Sequence, residues 1–188
     1  QGSPTPVAFE QNQEALASSQ ETSSNAPLDV WMHQQAGKIG QSDENPERTM
    51  ALLKTKAEGL VAQDITDLER WALETDRNGD ERFLAVELLI MNPRLESAES
   101  LGRILMTPEP SRAAEPVLEN ILRARAVEGL GSHPRREAAR ILRDSLYRVS
   151  DRSLIDRGER ALVARKNASI SPEEQDRKAL KTLLKKTR

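Results

Sequence analysis

From Leu28 onward, apolar residues recur at spacings of three and four, and no stretch alternates with period two over a useful length. That rhythm places one stripe of large side chains on each of a series of helices and leaves nothing to form a sheet, so it predicts an all-α fold. The ordered part begins at Leu28-Asp29-Val30-Trp31-Met32, where Trp31 and Met32 suit core packing; Gly37, Gly40 and Ser42 then interrupt the pattern. Asn45-Pro46 opens a helix carrying Met50, Leu53, Ala57, Leu60 and Val61, with proline at the first helical position, and it ends near Gln63. Asp64 caps the next, with Ile65, Leu68, Trp71 and Ala72 on one face.

After a polar loop, Phe83, Val86, Leu89 and Ile90 mark a helix stopped by Asn92-Pro93, and Leu95, Ala98, Leu101, Ile104 and Leu105 another, closed by Thr107-Pro108-Glu109-Pro110. Ser111 caps a stretch whose stripe is Val117, Ile121, Leu122 and Ala126; Pro116 within it either kinks the helix or resets its start, and Gly129-Leu130-Gly131 reads as a C-terminal signal. Pro134 starts a helix with Ala138, Ile141, Leu142, Ser145 and Leu146. Asp151 caps one with Leu154, Ile155, Ala161 and Leu162, weakened at Gly158 by about 1 kcal/mol relative to alanine. Ser171-Pro172-Glu173-Glu174 has the form of a capping box leading into Ala179, Leu180, Leu183 and Leu184. The expected content is about seven helices.

Residues 1–27 are rich in Ser, Thr, Gln, Asn and Pro and hold too little apolar area to offset an ordering cost of about 1 to 2 kcal/mol per residue. They read as a disordered arm ahead of a single helical domain, residues 28–188. The composition agrees with slender helical layers rather than a thick core: aromatic residues make up 3% of the chain and charged ones 31%. With no cysteine, disulfides, thiolate catalysis and cysteine-based zinc sites are excluded. The longest apolar run, Phe83 to Met91, is broken by Glu87 and falls short of a membrane span. The chain starts at Gln1 without a methionine, which fits either a cut within a longer chain or a removed targeting segment; the latter implies a periplasmic or extracellular location.

A net charge of -2 hides a division. Residues 1–111 carry 9 basic and 19 acidic side chains, net -10, whereas residues 112–188 carry 19 and 11, net +8. Opposite fields of this kind point to a charged partner for one half, or to attraction between the halves. Arg135, Arg136, Arg140 and Arg143 lie close along one helix and are the candidate partner-binding residues; Lys178, Lys181, Lys185, Lys186 and Arg188 decorate the last. Tyr147 is the single aromatic residue of this half, so base stacking on nucleic acid is poorly supplied, while contact with an anionic membrane surface is open to the final amphipathic helix. Interleaved acids such as Glu137, Asp144, Asp151 and Asp156 equally fit a mixed, solvated surface.

Candidate chemistry is confined to one loop. Asp76-Arg77-Asn78-Gly79-Asp80-Glu81-Arg82-Phe83-Leu84-Ala85-Val86-Glu87 places oxygen-bearing side chains at its first, third, fifth and twelfth positions. It resembles the calcium-binding loop of EF-hand proteins. By that resemblance Asp76, Asn78 and Asp80 supply side-chain oxygens, Arg82 its backbone carbonyl and Glu87 both carboxylate oxygens to Ca²⁺. Glu81 stands where the family has glycine and Leu84 where it has a polar group, departures that weaken such a site. The alternative is that Asn78-Gly79 makes a turn, Asp80 caps the second helix and Glu87 is a surface carboxylate. The two histidines, His33 and His133, form no metal-binding pair, and His133, ahead of Pro134, reads as a surface residue. No phosphate loop, nucleophile elbow or dinucleotide fingerprint occurs, and no catalytic residue is assigned.

A polar turn followed by Arg and small or aliphatic residues recurs over residues 73–89 and 131–142. The layout resembles the turn and second helix of HEAT-like repeats, which implies stacked helix hairpins, an α-solenoid; a compact helical bundle is the alternative. The functional expectation is a non-enzymatic helical scaffold for protein–protein interaction, stiffened by one Ca²⁺. A calcium-responsive regulator, or a binder of anionic polymer or membrane through the basic half, are the alternatives.

Overall fold

The structure, a computed structural model, describes residues 27–38, 45–107 and 115–168. Among them are eight helices and no strand: α1 Leu28–Ala36, α2 Pro46–Glu58, α3 Ala62–Leu73, α4 Gly79–Met91, α5 Leu95–Leu105, α6 Pro116–Ser132, α7 Glu137–Leu146 and α8 Arg152–Ala168. The fold is all-α. The expected arm, the Ser111 cap and the helix expected after Ser171 lie outside the described residues.

Local chemistry sets the helix ends. Asn45 Oδ1 accepts from the Glu47 amide at 3.0 Å, with Pro46 at the first position, so α2 starts where expected. Asp64 sits in the first turn of α3, not ahead of it: its Oδ2 accepts from the Val61 amide at 2.9 Å, the reciprocal half of a capping box. Pro116 resets α6, which begins there. α7 starts at Glu137, three residues past Pro134. Asp151 Oδ1 caps α8 through the amides of Ser153, 2.8 Å, and Leu154, 3.3 Å.

The principal contacts follow a simple order. From α3 to α8 each helix packs on the next, and each also packs on the next but one: α2 on α4, α4 on α6 and α6 on α8 form one row, α3 on α5 and α5 on α7 the other. α1 lies against α4. The core runs between the rows, and α4 is its most enclosed member, with Leu84, Ala85, Val86, Leu88 and Leu89 all buried. Trp31 and Met32 are buried in the same cluster.

α6 ends at Ser132, one residue past the expected Gly129-Leu130-Gly131 signal, and the glycines also permit close packing. Gly131 lies within α6, where a Cβ would come 2.7 Å from the Ala161 Cβ of α8. At Gly158 a Cβ would stand 2.5 Å from a Leu146 methyl. No described helix is long and apolar enough to cross a membrane.

Candidate functional site

The loop expected to hold calcium is shorter than its sequence spacing implies. Asn78 Oδ1 accepts from the Asp80 amide at 2.8 Å and caps α4, so the helix starts at Gly79, within the twelve-residue span. The Arg82 amide bonds back to the Asn78 carbonyl as part of that helix, at 3.0 Å. Asp76 and Asp80 face solvent. Glu87 is turned to another helix, where its two oxygens receive Arg125 Nε at 2.6 Å and Nη2 at 2.7 Å. That pairing holds the Arg125 guanidinium pKa above its ordinary value, chiefly through the hydrogen bond to Glu87. Asp76, Asn78, Asp80, Arg82 and Glu87 are thus not brought together as a ligand shell, and the described residues contain no group of three or more His, Cys, Asp or Glu side chains that could hold a metal ion.

A positive charge nevertheless occupies this corner, supplied by the chain itself. Arg77 Nε lies 2.6 Å from Glu81 Oε2, its Nη2 donates to Asp29 of α1, and its guanidinium stacks 4.6 Å from the Trp71 ring centroid. His33 Nδ1 lies 2.7 Å from the other Glu81 oxygen. Glu81, which departs from the EF-hand pattern, is the buried carboxylate that joins α1 to the α3–α4 turn. Arg82 is 1% exposed: Nε donates to the Ala72 carbonyl at 3.0 Å and Nη2 to Glu119 at 2.5 Å. Arg123, 2% exposed, donates from Nε to the Leu105 carbonyl at 3.3 Å.

Sequence reasoning missed these buried arginines. The signal was present, since Arg82, Ala85, Val86 and Leu89 share one helical face, as do Arg123, Ala126, Val127 and Leu130. Arginine stems can bury along apolar stripes when the head finds acceptors.

His133 is also buried, at 1% exposure, against the expectation of a surface position. Its Nε2 faces the Asn92 carbonyl at 3.2 Å and Ser97 Oγ at 3.3 Å, while Nδ1 accepts from the Arg135 amide at 3.2 Å. An acceptor at Nδ1 requires the neutral ring with its proton on Nε2. Burial lowers the His133 pKa; the Asn92 carbonyl pulls the other way, and the charge of Arg165 adds to the lowering.

The basic half presents a different picture from the interior. Along each row, arginine–carboxylate pairs tie neighbours: Glu69 of α3 to Arg103 of α5, Arg82 and Glu87 of α4 to Glu119 and Arg125 of α6, and Glu128 of α6 to Arg157 of α8. Arg135 is spent in the same way, its Nε on the Pro93 carbonyl at 3.1 Å and its own carbonyl receiving Arg165 Nη2 at 2.6 Å. It therefore separates from the other three candidates. Arg136, Arg140 and Arg143 are exposed and have no carboxylate partner among the described residues.

Their spacing of four and three continues to Tyr147, 84% exposed, so one face of α7 carries three guanidinium groups and a phenol. Beside it an open groove of ≈ 830 Å³ runs between Arg136, Ala139 and Arg143 of α7 and Glu159, Leu162 and Val163 of α8. Val163 is 58% exposed, and around it Arg136, Arg143, Arg165 and Lys166 outnumber the one acid, Glu159. Such a surface can take an apolar stripe flanked by carboxylates. No family model, curated protein or solved structure matches this chain.

Proposed function

We propose that the protein is a non-enzymatic, HEAT-like α-solenoid that serves as a protein-interaction module and docks an acidic amphipathic helix in the α7–α8 groove. The two rows support the solenoid reading, because each helix buries its stripe only by stacking on its neighbours. The observation that carries the docking reading is the contrast among arginines. Those along the rows are matched to carboxylates, whereas Arg136 and Arg143 of the groove and Arg140 next to them have no carboxylate partner among the described residues and stand near half-buried Leu162 and exposed Val163. Arginine and tyrosine are favoured at protein interfaces, and an apolar floor distinguishes this groove from a purely electrostatic patch.

The test uses a synthetic peptide with leucines on one helical face and glutamates on the other, titrated into the full chain. Saturable binding that weakens with salt and is lost in Arg136→Glu/Arg140→Glu/Arg143→Glu supports the assignment. Retention of the wild-type chain on heparin or on anionic vesicles, with no binding of the peptide, replaces it with the reading of an anionic-polymer or membrane binder.

A further inference from the structure

We infer that Glu159 selects among acidic helices at the α7–α8 groove: the favoured guest carries carboxylates on the flank against α7 and one lysine or arginine on the flank against α8. The inference rests on the docking reading and deepens it by naming a residue that decides specificity. Three observations carry it.

The first is where Glu159 stands. With Leu162 and Val163 it forms the α8 side of the groove, facing Arg136, Ala139 and Arg143 of α7. Glu159 and Val163 also line a second hollow on the outer face of α8, beside Arg160 and Ala164. One turn apart and shared by both hollows, they are the far rim of the groove. A helix seated between α7 and α8 therefore turns one flank to the arginines and the other to Glu159.

The second is register. Gly158 faces Leu146 near the end of α7, where a Cβ would come within 2.5 Å of a leucine methyl, and Arg165 donates to the carbonyl of Arg135 at 2.6 Å, just ahead of the start of α7. The two helices thus run antiparallel. Advancing along α8 from Gly158 to Arg165 goes back along α7 from Leu146 to Arg135, which sets Glu159 about level with Arg143. The groove has unlike ends: Arg136 and Lys166 mark one, and Arg143 with Glu159 across from it marks the other.

The third is that these two charges do not meet. Arg143 and Glu159 line one groove yet form no ion pair, and Glu159 has no cationic partner among the described residues. α8 cannot neutralise it locally, because the positions three and four residues away hold Ile155, Asp156, Leu162 and Val163. Other charges of α8 are matched, Asp156 to Arg152 and Arg157 to Glu128. A guest helix fills the gap between Arg143 and Glu159. A carboxylate on its α7 flank meets a guanidinium, whereas a carboxylate on its α8 flank meets another carboxylate at this turn. A uniformly acidic helix still binds through the α7 flank, but less tightly than one that places a base against Glu159.

The experiment titrates two leucine-striped helical peptides into the full chain and reads fluorescence anisotropy. Both carry glutamates along one flank of the stripe; on the other flank one central position is lysine in the first peptide and glutamate in the second, with glutamine elsewhere. The lysine peptide should bind the wild-type chain about fivefold tighter or more. Glu159→Gln should remove that preference and Glu159→Lys should invert it; because Glu159 is exposed and unpaired, neither variant should alter the helical circular dichroism. Equal affinity of the two peptides for the wild-type chain, or a preference unchanged in Glu159→Lys, overturns the inference. The docking reading then stands if Arg136→Glu/Arg140→Glu/Arg143→Glu still abolishes binding of both. Failure of both peptides to bind the wild-type chain overturns the docking reading and the inference with it.

Discussion

Replacing Glu119 with glutamine should destabilise the protein far more than a surface substitution would. Arg82 is held 1% exposed between the Ala72 carbonyl and Glu119, whose carboxylate takes its Nη2 at 2.5 Å. Glutamine keeps the size of the side chain and one acceptor but removes the counter-charge, leaving a guanidinium inside the interface of α4 and α6. Breaking a buried pair from one side costs about 3 to 5 kcal/mol, and the lower end suits Glu119, which is itself slightly wet. For a domain of this size that corresponds to a fall in melting temperature of about 6 to 12 °C. The assay is urea unfolding followed by helical circular dichroism, with melting as a check. Arg82→Met/Glu119→Met removes both charges and should recover most of the loss, because an apolar pair of similar volume avoids the desolvation. A loss below about 1 kcal/mol for Glu119→Gln, the range of exposed pairs, would refute the claim that this arginine is an internal tie.

Three further outcomes follow from the same geometry. Gly131→Ala should destabilise by about 1 to 3 kcal/mol despite the better helix propensity of alanine, because its Cβ meets the Ala161 Cβ at 2.7 Å and neither can rotate away; Ala161→Gly should rescue it in chemical denaturation. His133 has its pKa lowered in the folded state, so its contribution is fully present above the unfolded value of about 6.5 and is lost as pH falls through the folded value; stability should drop on acidification, and His133→Gln should be less stable at neutral pH but flatter across that window. At the α3–α4 turn, Asp76→Ala should change melting by no more than about 0.5 kcal/mol with or without millimolar Ca²⁺, whereas Arg77→Ala should cost about 1 kcal/mol or more by releasing Glu81 and Asp29 together.

The helices were legible in the sequence because their stripes are carried by Leu, Ile, Ala and Trp at spacings that no other element accommodates. Starts marked by one strong residue, Asn45-Pro46 and Asp151, were also legible. Those with two competing signals were not: Asp64 looks like a cap but acts from inside the turn, and Asn78 outcompetes Asp80 for the start of α4. At the expected ion loop, a list of oxygen donors does not say which cation they face. Glu87 points to Arg125 and Glu81 to Arg77, partners 38 and 4 residues away in the chain, and only packing reveals that. The glycines marked the end of α6 within one residue, but their packing role was hidden, since Gly131 and Gly158 face Ala161 and Leu146 on other helices. Of the four arginines singled out on α7, spacing alone could not separate Arg135, which is bonded to backbone, from the three that remain open.

The proposed function turns on the groove between α7 and α8, which can be tested directly. Titration of the acidic leucine-bearing peptide into the chain, followed by fluorescence anisotropy, should give saturable binding below about 1 mM that is lost on adding Arg136→Glu/Arg140→Glu/Arg143→Glu. Binding of equal strength in the chain with and without the three charge reversals would contradict the account.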